Sequence, residues 1–194
     1  MQFFDNAYEG TPTWDIGGPQ GAIVRLATGG SISGPVLDVG CGTGENSLYL
    51  AALGHDVVGV DLARAAIDKA SAKATRRAAG ASIEFLVWDA LRLGEIGRSF
   101  QTAIDCGLFH CLAPDQRAAY AASLRAALAP GGRAYLLCWS ARNPLGFGPE
   151  RIHKSDIRVA FRSGWSVEAI EEESLETLLP VQLVHAWLAR LRRI

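Results

Sequence analysis

The most constraining feature of the sequence is a short apolar run that leads into a loop with glycine at every second position. Residues 36–39 are typical of a buried strand, Gly40, Gly42 and Gly44 follow, and a helical pattern begins after the third glycine. Glycine lets the backbone turn tightly and lets a ligand approach the main chain, while a helix N-terminus adds unpaired N–H groups and positive partial charge. The segment therefore predicts a small-molecule site at one edge of a parallel sheet.

Strand patterns and helix patterns alternate along the chain from residue 35 onward. The predicted strands are 36–39, 56–60, 83–87, 101–106, 134–139, 165–172 and 181–191, and the predicted helices are 21–28, 44–53, 63–79, 115–128 and 155–161 with Ser155 as N-cap. Right-handed crossovers between parallel strands place helices on both faces of the sheet. We therefore predict an α/β fold, a single Rossmann-like domain with a seven-stranded, mostly parallel sheet and helices on both faces.

Length and charge restrict the class of protein. The chain has 194 residues, 49% of them hydrophobic, and a formal net charge of −1. This size suits one domain, residues 1–194, with an N-terminal arm or lid at residues 1–34 and a core at residues 35–194. The charge argues against a nucleic-acid partner, and a local basic cluster is interpreted as the solvated face of one helix: Lys69, Lys73, Arg76 and Arg77.

Targeting and redox signals favour the cytoplasm. No apolar run is long enough to cross a bilayer, so no membrane partner is expected. The N-terminus lacks the positive region and apolar stretch of a signal peptide. None of the four cysteines belongs to a C-x-x-C pair, so we predict reduced thiols and no zinc site.

The spacing within the glycine loop separates two classes of ligand. Dinucleotides need the pattern G-x-G-x-x-G, whereas here Gly44 comes one position early and Glu45 stands where the third glycine would be. A carboxylate at that position would repel the pyrophosphate. S-adenosylmethionine has no phosphate and carries an ammonium and a sulfonium cation. An acidic site, with Asp38 just before the loop, therefore favours S-adenosylmethionine over NAD.

Two more carboxylates end predicted strands. Asp61 follows the second strand, 21 residues after Gly40, where a carboxylate can accept both ribose hydroxyls. Asp89 follows the third strand, beside the expected adenine position. The alternative interpretation is that both side chains only cap helices or form turns.

Taken together, these residues resemble the class I S-adenosylmethionine-dependent methyltransferases. The resemblance rests on residues 38–44, on Asp61, on Asp89 and Ala90, and on the helix-to-strand turn at 128–132, and it covers roughly residues 35–140. It implies that the glycine loop holds the amino-acid part of the cofactor, Asp61 the ribose, and the pair after the third strand the adenine. The cofactor-binding residues that it implies are Trp14, Asp38, Gly40, Cys41, Gly42, Gly44, Asn46, Asp61, Leu62, Asp89, Ala90 and Cys106.

Two short segments narrow the resemblance. Residues 14–20 and residues 106–110 are similar to the thiopurine methyltransferase-like and small-heterocycle or halide methyltransferases, the second segment to actinobacterial members of that group. In such enzymes the arm folds over the cofactor, which implies that Trp14 lines the methyl-transfer pocket. The alternative is that Trp14 only packs the arm onto the core.

Methyl transfer requires few catalytic side chains, because the cofactor supplies the reactive carbon. A neutral hydroxyl acceptor must lose a proton, and His110, just past the fourth predicted strand, is the candidate base. Acceptors that are already ionised need no base, and His110 is then a wall residue. An apolar acceptor pocket is predicted from Phe4, Tyr8, Phe109, His110, Trp139 and Phe147, next to a loop at 141–150. No acidic cluster suggests a metal, so none is predicted.

The leading hypothesis is methylation of a small aromatic or heterocyclic acceptor at oxygen, nitrogen or sulfur, in detoxification or secondary metabolism, by a monomer or homodimer. A second enzyme hypothesis is a halide, thiol or small carboxylic or phosphonic acid acceptor, with Arg142, Arg151 or Lys154 binding an acid. A third hypothesis, from another class, is a non-catalytic S-adenosylmethionine-binding protein. A nicotinamide oxidoreductase is disfavoured by the spacing of Gly44 and Glu45.

Overall fold

One seven-stranded sheet forms the centre of the computed structural model, which describes residues 6–77, 82–146, 148–181 and 183–194. Its strands lie in the order β3-β2-β1-β4-β5-β7-β6. Only β7 is antiparallel to its neighbours, β5 and β6, and the other pairs are parallel. The mostly parallel seven-stranded sheet predicted from the sequence is confirmed. The strands are β1 Val36–Val39, β2 Val57–Asp61, β3 Ile83–Val87, β4 Phe100–Cys106, β5 Leu128–Trp139, β6 Trp165–Ser174 and β7 His185–Arg193.

Helices cover both faces of this sheet, as predicted. Two apolar clusters separate the layers, one packed with α1 and α2 and the other with α4 and α5. Neighbouring residues of β5 alternate between them, since side chains of a strand point to opposite faces: Tyr135 and Leu137 enter the first cluster, Leu136 and Cys138 the second. The helices are α1 Gly21–Thr28, α2 Glu45–Ala52, α3 Arg64–Arg77, α4 Arg117–Ala127 and α5 Lys154–Ala160, with 3-10 turns at Ala90–Ile96 and Phe109–Cys111.

The start of β5 differs from the prediction. The expected turn at residues 128–132 lies inside the strand, with residues 129–132 as a bulge, because the register passes from Phe100 opposite Leu128 to Thr102 opposite Arg133. Gly131 has φ +75°, a conformation that glycine adopts without strain. The strand therefore begins six residues before the predicted residue 134.

One helix start also corrects the sequence prediction. Ser155 is not the N-cap of α5, because the cap is His153, one residue before Lys154. The Asp156 carboxylate accepts from the His153 backbone N–H at 2.7 Å and completes a reciprocal cap. The predicted end of the third helix at residue 79 lies outside the described residues.

The parallel strands deliver several loops to one edge of the sheet. The carboxyl ends of β1 and β4 are neighbours, and the chain connections leave them in opposite directions along the sheet. Such a switch point forms a crevice where α/β proteins bind ligands. In the part of the chain that the structure describes, no helix is long and apolar enough to cross a membrane, and no three metal-ligating side chains gather.

Candidate active site

The glycine loop leaves β1 at this crevice and has a left-handed backbone at all three glycines. Their φ angles are +71° at Gly40, +54° at Gly42 and +83° at Gly44, values that a residue with a Cβ adopts only at a cost. The loop is fixed to the neighbouring strand, because the N–H groups of Gly40 and Cys41 both donate to the Val60 carbonyl, at 2.8 and 2.9 Å. The alternating glycines therefore shape a tight turn at the switch point.

Asp61, the last residue of β2, joins the glycine loop to the start of α3. Its Oδ2 accepts from the Gly42 N–H and its Oδ1 from the Ala63 N–H, both at 2.9 Å. These two bonds hold the carboxylate against the loop, at the place where the sequence predicts a ribose. The fixed acidic group at this edge fits a ligand that offers hydroxyl donors.

Asp38 lies deeper than the sequence suggests. It is one residue inside the end of β1, its side chain is buried, and the Ser47 hydroxyl of α2 donates to its Oδ2 at 2.6 Å. Burial raises the pKa of Asp38 to about 7, although the Ser47 hydrogen bond acts in the opposite direction. The observed contact of Asp38 is with the helix after the loop, and its predicted role toward an ammonium group stays a prediction.

The remaining predicted cofactor residues lie along the same edge. Asp89 caps the 3-10 turn at Ala90, accepting from the Leu91 N–H at 2.8 Å, and its predicted place beside adenine stays a prediction. Leu62 is nearly half exposed after β2. Asn46 accepts from the Gln20 N–H at 2.9 Å and so ties α2 to the arm.

The arm crosses the glycine loop. The Tyr8 ring is buried against Ala63 and Ala66 at the start of α3, and its hydroxyl lies 2.9 Å from the point that a Cβ on Gly42 would occupy. The Trp14 indole N–H donates to that hydroxyl at 3.0 Å. Tyr8 therefore lies on the glycine-loop side of the site, although the sequence predicts it in the acceptor pocket. Phe4 and Phe147, also predicted for that pocket, lie outside the described residues.

A polar chain behind the loop was missed by sequence reasoning. The Thr43 hydroxyl donates to Asp15 of the arm at 2.7 Å, and the Lys73 ammonium donates to Thr43 at 2.6 Å and to Glu45 at 2.7 Å. Arg77 makes two hydrogen bonds to Glu45, at 2.7 and 3.0 Å. We call these five residues the arm latch. Burial acts to raise the pKa of Glu45, but the hydrogen bonds from Arg77 and Lys73 outweigh it, so the pKa is lowered.

The arm latch corrects the interpretation of the basic cluster on α3. Lys73 and Arg77 do not form a merely solvated face, because both pair with Glu45. Lys69 donates to the carbonyl of Gly10 in the arm at 2.8 Å. Only tertiary contacts show these partners, because they lie about 30 residues or more away in sequence.

Across the crevice, a turn after β4 carries His110. The buried Asp105 fixes this turn, accepting from the N–H groups of Leu108 at 2.9 Å and Phe109 at 3.3 Å and from the Tyr120 hydroxyl at 2.7 Å. The Phe109 ring is fully buried against Tyr120. Phe109 is therefore a core residue, and its predicted place in the acceptor pocket is wrong.

His110 faces the end of β5. The backbone N–H of Trp139 donates to His110 Nδ1 at 3.0 Å, and the two rings meet edge to face. A neutral imidazole has one acceptor nitrogen, so this bond assigns the proton to Nε2. Burial lowers the pKa of His110 to about 4. His110 and Trp139 are therefore in contact, with the accepting nitrogen of His110 already occupied, and their place in an acceptor pocket stays a prediction.

The loop after β5 is fixed to its surroundings. Asn143 bonds to the backbone of His185 through both ends of its amide, at 2.6 and 2.8 Å. Arg151 donates to carbonyls of this loop, including Pro149 at 2.7 Å, and its guanidinium lies over the Trp139 ring. Arg142 pairs with Glu172 and Lys154 lies over the Trp187 ring. The three cations considered for an acid acceptor are thus each engaged within the protein.

Comparisons with known proteins agree on one enzyme class. A family described as a methyltransferase domain matches residues 36–132. A 2-heptyl-1-hydroxyquinolin-4(1H)-one methyltransferase of Mycobacteroides abscessus is 34% identical over 185 residues, 90% of this chain and 81% of that protein. A probable thiol methyltransferase 2 of Arabidopsis thaliana is 27% identical over 168 residues, 86% of this chain and 74% of that protein.

One solved structure is similar over nearly the whole chain. It belongs to a study of the conversion of a disulfide bond into a thioacetal group during echinomycin biosynthesis, and its sequence is 38% identical to this chain. Its TM-score is 0.88, and the match covers 99% of this chain and 91% of that one. The likeness therefore covers the arm as well as the sheet.

Proposed function

Because the chain belongs to the class I S-adenosylmethionine-dependent methyltransferases, we propose that it methylates a small aromatic or heterocyclic acceptor. The relatives named above act on a hydroxyquinolone and, by name, on a thiol. The observation that carries the proposal is the neutral imidazole of His110, which the Trp139 N–H and the edge of the buried Trp139 ring hold on the turn after β4. A neutral aromatic side chain at this edge of the sheet suits a flat ring system better than a charged acceptor.

The glycine-loop edge fits the cofactor. Gly40, Gly42 and Gly44 form the turn, Asp61 would accept the ribose hydroxyls, and Asp38 lies below as a second carboxylate. The exposed Leu62 offers an apolar surface for adenine near the capped turn at Asp89. When bound, S-adenosylmethionine supplies an electrophilic methyl group. The arm, with Trp14 and Tyr8, would cover the site and exclude water.

The side chains around the acceptor loop disfavour a carboxylic or phosphonic acid acceptor. Such an acid needs a cation at its charged end, and Arg142, Arg151 and Lys154 each have a partner inside the protein. A thiol is the second candidate acceptor, favoured by the thiol methyltransferase relative. The four free cysteines suit the cytoplasm, where we place the enzyme as a monomer or homodimer that acts on small molecules rather than on nucleic acid.

Release of S-adenosylhomocysteine against an acceptor panel tests this function. The panel contains 1-hydroxyquinolin-4(1H)-ones, phenols, thiols, iodide and small carboxylic acids, and the product mass locates the methyl group. We expect the fastest release with the hydroxyquinolones and phenols. Fastest release with a carboxylic acid or iodide would contradict the aromatic-acceptor proposal, and fastest release with a thiol would establish the second candidate.

A further inference from the structure

The hydrogen bonds of His110 suit a side chain that donates a hydrogen bond to the methyl acceptor, and they do not suit a base that removes a proton from it. A base must offer a lone pair, and the lone pair of Nδ1 already accepts from the Trp139 N–H at 3.0 Å. That N–H belongs to the backbone at the end of β5, where Trp139 pairs with Ala186 of β7, so it does not turn away. Within the described residues, nothing accepts from the Nε2–H.

The turn that carries His110 aims the ring in one direction. Asp105 and Tyr120 hold the turn from below, and Leu108 packs on the glycine loop, 2.8 Å from the point that a Cβ on Gly40 would occupy. The Cε1–Nε2 edge of the imidazole lies next to Gly107, because a Cβ added there would be 3.4 Å from Cε1 and 3.8 Å from Nε2. The Nε2–H is therefore a fixed donor beside Gly107, on the turn whose Leu108 packs on the glycine loop.

We propose that neutral His110 donates its Nε2–H to the oxygen of an acceptor that binds already ionised, and so selects acidic N–OH and phenolic O–H compounds. This inference rests on the proposed function and names its substrate class. A neutral donor orients the oxyanion without cancelling its charge, so the oxygen stays nucleophilic. A cation at this position would bind the anion and weaken its attack.

The other titratable groups around the turn do not supply a base. Asp105 accepts three hydrogen bonds from the turn and from Tyr120 and is buried. Burial raises the pKa of the Cys106 and Cys111 thiols and of the Tyr120 phenol, so all three stay neutral near pH 7. Proton removal from the acceptor therefore takes place in solution, before binding.

The transfer step then balances without a protein proton. The acceptor oxygen uses an electron pair to form the new O–C bond to the methyl group, and the electron pair of the S–C bond stays on sulfur. An anion and a sulfonium become a neutral ether and a neutral thioether. His110 keeps its proton on Nε2 throughout, and its hydrogen bond to the acceptor oxygen weakens as the negative charge on that oxygen disappears.

Two isosteric variants separate the possible roles of His110. In His110→Gln the amide nitrogen replaces Nε2 as donor, and in His110→Asn the amide oxygen replaces Nδ1 and keeps the Trp139 bond. We measure kcat/KM from about pH 5.5 to about pH 10.5, since a phenol ionises near pH 10, with 4-nitrophenol and with phenol, and S-adenosylhomocysteine affinity serves as the folding control. We expect His110→Gln to stay within about fivefold of the wild type and His110→Asn to lose about 30-fold or more, from charge-assisted hydrogen-bond strength.

The pH profiles give a second readout. For the wild type and His110→Gln, kcat/KM rises with the ionisation of each acceptor, so the inflection moves to higher pH from 4-nitrophenol to phenol. An inflection at the same pH with both acceptors, or equal losses of kcat/KM in the two variants, would contradict the donor role and show that His110 acts as a base. Full activity in His110→Asn with loss in His110→Gln would leave only a structural role. A wild type that forms no product with any acceptor would overturn the proposed function itself.

Discussion

Asp61 connects fold and function at the scale of a single residue. It holds the glycine loop and the start of α3 through two backbone N–H groups, and the same carboxylate is the expected partner of the ribose. The sequence predicted its place at the strand end, because position after a strand follows from local pattern alone. Its hydrogen bonds to Gly42 and Ala63 were not predictable, since they depend on how the loop turns back over β2.

Replacement of Asp61 by Asn is expected to weaken cofactor binding. The variant loses a charged acceptor, and hydrogen bonds to charged groups contribute about 1.5–3 kcal/mol. We therefore expect a roughly 10- to 150-fold higher Kd for S-adenosylhomocysteine. Titration calorimetry measures this change. Asp68→Asn, an exposed position on α3 with the same change of charge, is the control. Equal Kd values for the two variants would contradict the ribose assignment.

Asp105 gives a prediction for stability. Burial raises its pKa from 3.8 to about 7 in the folded chain. At pH values between these two pKa values, the folded state keeps a proton that the unfolded state has lost. The contribution of Asp105 to the free energy of unfolding is therefore complete at low pH and is lost as the pH rises to 7. Relative to Asp105→Asn, the unfolding free energy of the wild type should therefore fall from pH 5 to pH 7, by at most about 1.4 kcal/mol per pH unit.

Urea denaturation at pH 5, 6 and 7 measures this difference. The exposed Asp115→Asn is the control and should follow the wild type at every pH. Parallel pH curves for Asp105→Asn and the wild type would show that burial does not shift this carboxyl group.

At the scale of elements, the arm latch joins three parts of the chain. Asp15 belongs to the arm, Thr43 and Glu45 to the loop and the start of α2, and Lys73 and Arg77 to α3. The sequence predicted the helices and the arm, because each has a local pattern. It did not predict the latch, since the pairing of Glu45 with residues 28 and 32 positions later arises only when folding brings the start of α2 near the second half of α3.

Lys73→Met is expected to release the arm. The change removes the ammonium that bridges Thr43 and Glu45, while Arg77 still neutralises Glu45. Arm closure should weaken by about 1.5 kcal/mol, the lower end for charged hydrogen bonds. Amide exchange of residues 8–20 measures this and should be roughly tenfold faster than in the wild type. Arg76→Met, an exposed cation on the same helix, should leave exchange unchanged; equal effects of both variants would contradict the latch.

At the scale of the whole molecule, the sheet order brings the two halves of the site together. The glycine loop after β1 and the His110 turn after β4 are adjacent only because β1 and β4 pair, although they are more than 60 residues apart. Alternation of strands and helices predicted the parallel sheet. The antiparallel insertion of β7 between β5 and β6, which supplies the Asn143 anchor at His185, follows from long-range packing and left no local signal.

The most direct test of this account is a crystal structure with S-adenosylhomocysteine and a 1-hydroxyquinolin-4(1H)-one bound together. We expect both ribose hydroxyls within hydrogen-bond distance of the Asp61 carboxylate, and the acceptor oxygen about 3 Å from His110 Nε2. A ribose bound away from Asp61, or an acceptor oxygen directed away from His110, would contradict it.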